Sequence, residues 1–485
     1  MKRLILCFLL CAGLLVGADA GSQKMNVLFI AVDDLRPQLG CYGQTQIRSP
    51  HIDRLASEGI LFERAYCQQA VCAPSRASLL TGLRPDTTGI YDLQHPVRET
   101  LPDVLTLPEY YRRHGYTALS LGKIYHHRED DNGKGWSEDA WWPEGNWTGR
   151  GYLSKDGKAL AAADAEGRGP AFEAAEVADG EYPDGKIAEE AVARLRAFKN
   201  DGAPFFLAVG FIKPHLPFNA PQKYWDLYPP DTIRIPDRKA WPDRMPSFAG
   251  TGIWEISGYK GVPKKLPFPD GYARELVRGY YACVSYTDAL IGKVLDELDR
   301  LGLRDSTVIV LWGDHGWKLG DYGHWCKHTN FEIDTHVPLI LSAPRVATAG
   351  ERTGALVEFV DIYPTLAELC GLPIPGHCEG TSMVPLLRDP STPWKRAAFS
   401  QYPRGKRMGY SIRSGKWRYT EWLNRASGKV VARELYDHTD GPVADRNLAR
   451  DAEHADTVKA LSELLAKGKG WKAARVALGQ GTLND

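Results

Sequence analysis

The chain has no net charge, because Lys+Arg and Asp+Glu both number 60 among its 485 residues. Without a bulk field of one sign, nucleic acid and anionic membranes are not expected partners, and any recognition of anions must be local. No two cysteines have the CxxC spacing that is typical of zinc sites. Hydrophobic residues make up 43% and charged residues 25%, as in globular proteins. The length suggests two domains rather than one small core.

Residues 1–20 have the features of a signal peptide. Lys2 and Arg3 make a basic start, the apolar run from Leu4 to Val16 is too short to span a bilayer comfortably, and Ala18-Asp19-Ala20 fits a small-x-small cleavage site. An uncleaved anchor is the alternative. We expect an exported protein with no membrane span after cleavage, either periplasmic or secreted, or lysosomal in a eukaryote.

Four apolar, β-branched runs are typical of strands that are buried on both faces. They cover residues 26–32, 116–121, 204–211 and 307–312, and helical patterns at 52–59, 107–114, 187–198 and 276–301 lie between them. Strands that alternate with helices predict an α/β fold with a doubly wound, mostly parallel sheet. We assign it to a catalytic domain over residues 21–372.

A smaller C-terminal domain is predicted over residues 373–485. Residues 409–412 and 418–422 alternate apolar and polar side chains around a Gly-Lys turn, which indicates a hairpin. A further strand ends at Asp437, and residues 458–467 form an amphipathic helical pattern. We therefore expect a small antiparallel sheet with a terminal helix.

Acidic residues follow two of the predicted strands, with Asp33 and Asp34 after the first and Asp314 and His315 after the fourth. Since ligands of such sheets bind outside the carboxyl ends of the strands, these side chains should share one edge. Three unpaired carboxylates would repel one another there, and a divalent cation resolves this. Oxygen-rich ligation suggests Ca²⁺, with Mg²⁺ also possible.

Cationic and titratable side chains supply the complementary half of this predicted site. Cys72 stands before Pro74 at a predicted helix start, where an anion is favoured, and Arg76 follows one turn later. Lys123, Lys327 and Arg76 can surround an oxyanion. His126 and His215, near strand ends, are candidates for proton transfer near neutral pH.

The string Cys72-Ala73-Pro74-Ser75-Arg76, which continues to Thr81-Gly82, resembles the type I sulfatase signature C-x-P-S-R-x-x-x-x-T-G at every fixed position. From Asn26 to about Asp437 the chain resembles sulfatases of the alkaline-phosphatase-like superfamily. Longer strings that carry this resemblance are Val32-Asp33-Asp34-Leu35-Arg36-Pro37, Lys213-Pro214-His215-Leu216-Pro217-Phe218, Asp314-His315-Gly316-Trp317, Thr335-His336-Val337-Pro338 and Gln401-Tyr402-Pro403-Arg404.

The resemblance implies that a maturation enzyme oxidises Cys72 to formylglycine. It implies that formylglycine 72 binds Ca²⁺ together with Asp33, Asp34, Asp314 and His315. Arg76 and Lys123 would hold and polarise residue 72, and His126 would assist breakdown of a covalent sulfate ester. His215 and Lys327 would bind the substrate sulfate and favour departure of the leaving group. The implied reaction is a double displacement through that ester.

The implied substrate is a sulfated saccharide, with the 2-O-sulfate of a uronic acid as its reacting group, in degradation of glycosaminoglycan or another sulfated polysaccharide. A uronic acid needs a cation for its carboxylate, and Arg98 is the candidate. Trp317, which directly follows the predicted metal ligands, is the candidate for an apolar wall beside the sugar ring.

The sequence leaves two other functions open and raises two structural points. One alternative is a phosphate or phosphonate monoester hydrolase on the same scaffold. Another is a non-catalytic binder of sulfated glycans, if Cys72 remains a thiol. Cys370 and Cys378 are close enough in sequence to form a disulfide in an oxidising compartment. Residues 139–183, which contain the sequon Asn146-Trp147-Thr148, are expected to line the substrate entrance.

Overall fold

The structure is a computed structural model that describes residues 24–143, 150–344, 346 and 349–469. The predicted signal peptide and the sequon at Asn146 lie outside these residues. Within them, no helix is both long enough and apolar enough to cross a membrane.

The strands of the described residues form one large central sheet, one four-stranded sheet and two small pairs. They are β1 (Asn26–Val32), β2 (Ile60–Tyr66), β3 (Thr117–Gly122), β4 (Phe172–Ala175), β5 (Phe205–Phe211), β6 (Phe218–Pro221), β7 (Thr307–Gly313), β8 (Lys318–Leu319), β9 (Trp325–Cys326), β10 (His336–Val337), β11 (Leu339–Ser342), β12 (Glu351–Glu358), β13 (Ala398–Arg404), β14 (Arg407–Ser414), β15 (Trp417–Asn424) and β16 (Val430–Asp437).

The helices of the described residues range from single turns to one of 31 residues. They are α1 (Pro50–Glu58), α2 (Cys72–Thr81), α3 (Pro85–Thr88), α4 (Val97–Thr100), α5 (Leu107–Arg113), α6 (Lys155–Ala162), α7 (Pro183–Asp201), α8 (Gln222–Trp225), α9 (Trp254–Ser257), α10 (Asp270–Arg300), α11 (Glu332–Thr335), α12 (Ile362–Leu369), α13 (Val384–Arg388) and α14 (Ala455–Lys469).

The central sheet has the order β10-β2-β11-β7-β1-β5-β3, and β12 pairs with β2. β1 runs parallel to both β5 and β7, and β3 runs parallel to β5. β11 is antiparallel to β7 and to β2, so the sheet is mixed although most of its strands point the same way. The carboxyl ends of β1, β3, β5 and β7 therefore meet at one edge.

Alternation along β1 divides the interior into two layers. Leu28 and Ile30 pack in a cluster with residues of α7 and α10, while Phe29 and Ala31 pack in a second cluster with residues of α2, α5 and α12. All seven residues of β1 are buried. The strand thus lies in the middle of a helix–sheet–helix sandwich, as continuous apolar runs predict.

The four predicted strands of the catalytic domain are confirmed as β1, β3, β5 and β7, each within one residue at either end. The predicted helices are present as α1, α5, α7 and α10, and α7 and α10 begin earlier than their apolar periodicity indicated. In α7 the helix starts at Pro183, a residue favoured in a first helical turn. The antiparallel strand β11 is the main departure from the predicted parallel order.

The C-terminal residues form the antiparallel sheet β13-β14-β15-β16, as expected. Gly415 and Lys416 make a two-residue turn between β14 and β15, and Gly415 has a φ of 54°, a conformation that glycine adopts without strain. Leu461 and Leu465 of α14 pack against Ile412 and Tyr419 of the sheet. The segment before this sheet is different, because α13 packs in the core of the larger region.

Candidate active site

Polar residues from four strand ends and one helix start converge at the carboxyl edge of the central sheet. Asp33 and Asp34 follow β1, Asp314 and His315 follow β7, and Lys123 follows β3. All five side chains are buried. The structure thus brings together residues that are distant in the sequence. The backbone N–H of Asp34, for example, donates to Asp314 Oδ1 over 3.0 Å although the two residues are 280 positions apart.

Cys72 is the first residue of α2, as predicted, and lies in the middle of this convergence. Its Sγ is 3.3 Å from His315 Nε2 and 3.8 Å from Lys123 Nζ. Only 2% of the residue is exposed. Burial, reinforced by Asp33, raises the pKa of the Cys72 thiol well above its ordinary value. A thiol of this kind stays protonated and is a weak nucleophile.

Arg76 joins the two acidic strand ends instead of pointing into open space. Its Nε donates to Asp314 Oδ2 over 2.9 Å and its Nη2 donates to Asp33 Oδ1 over 3.0 Å. Nη1 donates to the carbonyl oxygens of Lys123 and Ile124. The guanidinium therefore holds two carboxylates in fixed positions, which its planar fork of donors suits. It is not free to grip an additional oxyanion.

Asp33 and Asp34 are adjacent in sequence but differ in charge compensation. Burial alone would raise the pKa of Asp33, but Lys123 and Arg76 outweigh it and hold the pKa well below its ordinary value. For Asp34, burial raises the pKa to about 7, although Lys327 Nζ lies 2.8 Å from Oδ1. The positive charge around Asp34 therefore does not fully offset its burial.

The same residues have the donor chemistry of a cation site. Ligand atoms of Asp33, Cys72, Asp314 and His315 lie within 4.8 Å of one another, and so do those of Asp33, Asp34, Cys72 and His215. Carboxylates supply two of the four ligands in each group, and oxygen ligands suit a hard divalent cation such as Ca²⁺ or Mg²⁺. The shortage of positive charge at Asp34 fits such an ion as well. Exposed acidic groups often cluster without a metal, but these are buried.

Glu255 of α9 joins the site, and the sequence analysis missed it. Its Oε1 lies 2.9 Å from His215 Nε2 and 3.0 Å from Lys327 Nζ. Burial would raise the pKa of Glu255, but Lys327 and His215 hold it well below its ordinary value. His215 Nδ1 lies 2.7 Å from the carbonyl oxygen of Leu216, which can only accept, so Nδ1 carries a proton. Glu255 therefore fixes the orientation of both side chains, while burial and the charge of Lys327 lower the pKa of His215 to about 4.

His126 lies beside this centre, half-buried, with its ring centroid 4.4 Å from that of His127. Burial, together with the charge of Lys123, lowers the pKa of His126 to about 2. Its Nδ1 has no hydrogen-bond partner among the residues that the structure describes. The neutral imidazole can accept a hydrogen bond at this nitrogen, and its low pKa makes it a weak base.

The predicted role of Arg98 is wrong. The side chain is buried and forms ion pairs with Glu109 over 2.6 Å and with Asp131 over 2.8 Å. It also donates to the carbonyl oxygen of Val104 and to Thr106. With its donors engaged by the protein, Arg98 is a structural residue that ties α4 to α5 and does not contact a ligand.

The predicted role of Trp317 is also wrong, because the side chain is fully buried and cannot present a wall to a sugar. Instead its ring lies 4.8 Å from Lys327 Nζ, a cation–π contact that supports this lysine from beneath. The disulfide between Cys370 and Cys378 is not formed either. Both residues remain thiols, and Tyr111 OH donates to Cys370 Sγ over 3.2 Å.

Comparisons of the sequence with known proteins agree with one another. The family described as Sulfatase matches residues 25–372, and the family described as N-sulphoglucosamine sulphohydrolase, C-terminal, matches residues 320–470. The chain is 35% identical to iduronate 2-sulfatase of Mus musculus over 91% of this chain and 94% of that protein. A sulfatase of Formosa agariphila is 32% identical over 92% of this chain and 87% of that protein.

Solved structures share the architecture at lower identity. A phosphonate monoester hydrolase of Agrobacterium radiobacter has a TM-score of 0.75 at 23% identity and covers 93% of this chain and 96% of its own. A structure in complex with its substrate D-glucosamine-2-N,6-O-disulfate has a TM-score of 0.73 at 23% identity, with 93% and 98% covered. These likenesses confirm the predicted fold class, an alkaline-phosphatase-like α/β fold with a smaller C-terminal antiparallel sheet.

Proposed function

The chain belongs to the sulfatase family and is a sulfuric ester hydrolase, and on that premise we propose that it removes the 2-O-sulfate of a uronic acid in a saccharide. The observation that carries the proposal is the position of Cys72, between a carboxylate group suited to a divalent cation and the cationic side chains Lys123 and Lys327. The sequence identity of 35% with two iduronate 2-sulfatases supports the choice of sugar.

We propose that Cys72 acts as formylglycine. The thiol itself is poorly suited to attack sulfur, because burial keeps it protonated. Formylglycine is an aldehyde, and its hydrate, formed by addition of one water, would supply a hydroxyl nucleophile. The maturation enzyme that forms formylglycine would be an obligatory partner. A divalent cation held by Asp33, Asp34, Asp314 and His315 would lower the pKa of that hydroxyl and offset charge on the sulfuryl oxygens.

The chain's own residues then have separate tasks. Arg76 holds Asp33 and Asp314 in place, and Lys123 lies near residue 72 with its charge partly compensated by Asp33. Lys327 and His215 both lie close to Asp34, where they would bind the sulfate and assist the leaving oxygen. His126, neutral and unpaired at Nδ1, would accept a hydrogen bond from the second hydroxyl of the formylglycine hydrate as sulfate is released, since a pKa of about 2 makes it a weak base.

We also propose that residues 1–20 direct export to the periplasm, the medium or, in a eukaryote, the lysosome, where sulfated polysaccharides are degraded.

Mass spectrometry of the tryptic peptide 65–76 tests the nucleophile. Formylglycine would make it about 18 Da lighter than the cysteine form. Fragmentation must place the loss at residue 72, because the peptide also contains Cys67. An unmodified peptide from active enzyme would contradict the proposal.

The substrate is tested by sulfate release from a 2-O-sulfated uronate disaccharide, a 6-O-sulfated hexosamine and a phosphonate monoester. We expect the largest kcat/KM for the first. A preference for the hexosamine would overturn the uronate assignment but keep the sulfatase. A preference for the phosphonate would favour the alternative that the Agrobacterium radiobacter structure raises at the level of fold.

A further inference from the structure

Trp254 is the most exposed large apolar side chain in the part of the chain that the structure describes. Its exposed fraction is 66%, against 50% for Val431 and less for the others. Most of the tryptophans of this protein are buried or half-buried. An indole is a large apolar surface, and one that is left exposed beside a catalytic centre is available for contact with a ligand.

Its neighbours fix Trp254 at the mouth of the candidate active site. The next residue, Glu255, binds His215 Nε2 over 2.9 Å and Lys327 Nζ over 3.0 Å. One residue further, the side chain of Ile256 is fully buried in the core. The short helix α9 is therefore held from two sides, and the indole cannot move far from the two residues proposed to bind sulfate.

The indole also has a defined orientation. It stacks on His328, with ring centroids 6.0 Å apart and planes 26° from parallel. A Cβ at Gly252 would lie only 2.4 Å from the indole Nε1, so the ring is folded closely over a glycine backbone. With one face against His328 and most of its surface exposed, the ring presents a flat apolar surface to solvent next to Lys327.

We propose that Trp254 is a stacking platform for a pyranose ring of the substrate, and that it determines specificity for sugar sulfates over other sulfate esters. This inference rests on the proposed function. A pyranose ring has one face of C–H bonds, and such a face packs on an indole, while the sulfate that it carries reaches Lys327 and His215. Ligand sites commonly combine an aromatic wall with a few charged groups in this way.

Binding to the full-length Cys72→Ala protein tests the platform without turnover. The protein is labelled with 5-fluorotryptophan, and Trp254→Phe assigns the Trp254 resonance in ¹⁹F spectra. The probes are a 2-O-sulfated uronate disaccharide, inorganic sulfate and choline sulfate. We expect the disaccharide to shift the Trp254 resonance and inorganic sulfate to leave it in place. Trp254→Ala should weaken disaccharide binding about tenfold, with a smaller loss for Trp254→Phe.

Val431→Ala is the matched control, since Val431 is an exposed apolar residue on the C-terminal sheet. It should leave the affinities for the disaccharide and for inorganic sulfate unchanged. Equal affinities of Trp254→Ala and the parent protein for the disaccharide would overturn the platform. So would a Trp254 resonance that moves only with choline sulfate, because the indole would then serve a quaternary ammonium group by cation–π contact.

Turnover by the unmutated enzyme separates this inference from the proposed function. If it releases sulfate from the disaccharide and Trp254→Ala has the same KM, the platform is wrong and the function stands. If it releases no sulfate from any sugar but the Trp254 resonance still shifts with sulfated disaccharide, the function is wrong and the platform stands.

Discussion

Two buried clusters of charged residues in this protein have similar compositions but differ in how far their negative charge is compensated. The first is the catalytic edge, defined by Asp33, Asp34, Arg76, Lys123 and Asp314. The second joins the larger region to the C-terminal sheet, and we call it the junction cluster. It consists of Tyr66, Glu332, Arg413 and Arg418.

In the junction cluster the negative charge is fully compensated. Glu332 lies 2.8 Å from Arg418 and 3.1 Å from Arg413, and Tyr66 OH donates to it over 2.7 Å. Burial would raise the pKa of Glu332, but the two arginines hold it well below its ordinary value. At the catalytic edge, burial instead raises the pKa of Asp34 to about 7.

The difference separates a structural use of buried charge from a functional one. A fully paired cluster needs nothing further and is costly to break. A cluster that is short of positive charge gains stability when a cation arrives. Substitutions in the two clusters should therefore affect different measurements, stability in one and chemistry in the other.

Of the substitutions in the two clusters, Cys72→Ala should have the largest effect, and that effect should be on catalysis. We expect kcat for sulfate release to fall at least about a thousandfold, because the nucleophile is lost. The midpoint of thermal unfolding should change little, since alanine fits the space of the thiol. Near-normal kcat would sink the proposed nucleophile, and Cys67→Ala, a change at another buried cysteine, controls for loss of a thiol.

Glu332→Gln should show the opposite pattern. Two buried arginines would lose their countercharge, and we expect the free energy of unfolding to fall by about 3–5 kcal/mol in denaturant titrations. The kcat of the folded fraction should stay unchanged. If kcat fell with stability unaffected, the distinction between the two clusters would be wrong. Glu332→Leu combined with Arg413→Met and Arg418→Met should restore much of the stability, because neither arginine is then left without a countercharge.

Asp314→Asn should weaken the proposed cation site. Loss of one ligand charge is expected to lower Ca²⁺ affinity at least about tenfold in calorimetric titrations. Asp321→Asn is the control, because Asp321 forms a separate ion pair with Arg36 over 2.7 Å. Unchanged affinity in Asp314→Asn, or full activity of enzyme shown to be metal-free, would remove the ion from the mechanism.

A pH series should give the smallest effect. Asp34 must be ionised to bind a cation, and burial raises its pKa to about 7. Ca²⁺ affinity should therefore be greatest above pH 7 and fall by up to about tenfold between pH 7 and pH 6. In Asp34→Asn the overall affinity should be lower and this part of the pH dependence absent. A flat profile for the unmutated protein would show that Asp34 is already fully compensated.

Much of the architecture was predictable because it depends on local patterns. The apolar run 26–32 is a strand because every one of its side chains is buried between helices. Once its direction and that of the next strands are known, the meeting of Asp33 and Asp314 at one edge follows from topology. The antiparallel strand β11 was not predictable, because three of its four residues are apolar and such a short run gives no sign of its direction.

The errors concern side chains whose role depends on distant partners. Arg98 has the positive charge that a carboxylate-binding residue needs. It pairs instead with Asp131, which is 33 positions away in the sequence, and so it does not contact a ligand. Trp317 follows the predicted metal ligands in sequence, yet its ring turns into the core. Glu255 lies in a segment without any motif, 72 positions before Lys327, and only the fold brings the two together.

The burial of Cys72 sets an order of events in the life of the protein. With 2% of the residue exposed and its sulfur against His315 and Lys123, a second enzyme cannot reach it once the central sheet has formed. Any enzymatic oxidation of Cys72 must therefore precede folding, on the nascent or newly exported chain. Molecules that fold first would carry a permanent thiol, so the active fraction of a preparation would record a race between maturation and folding.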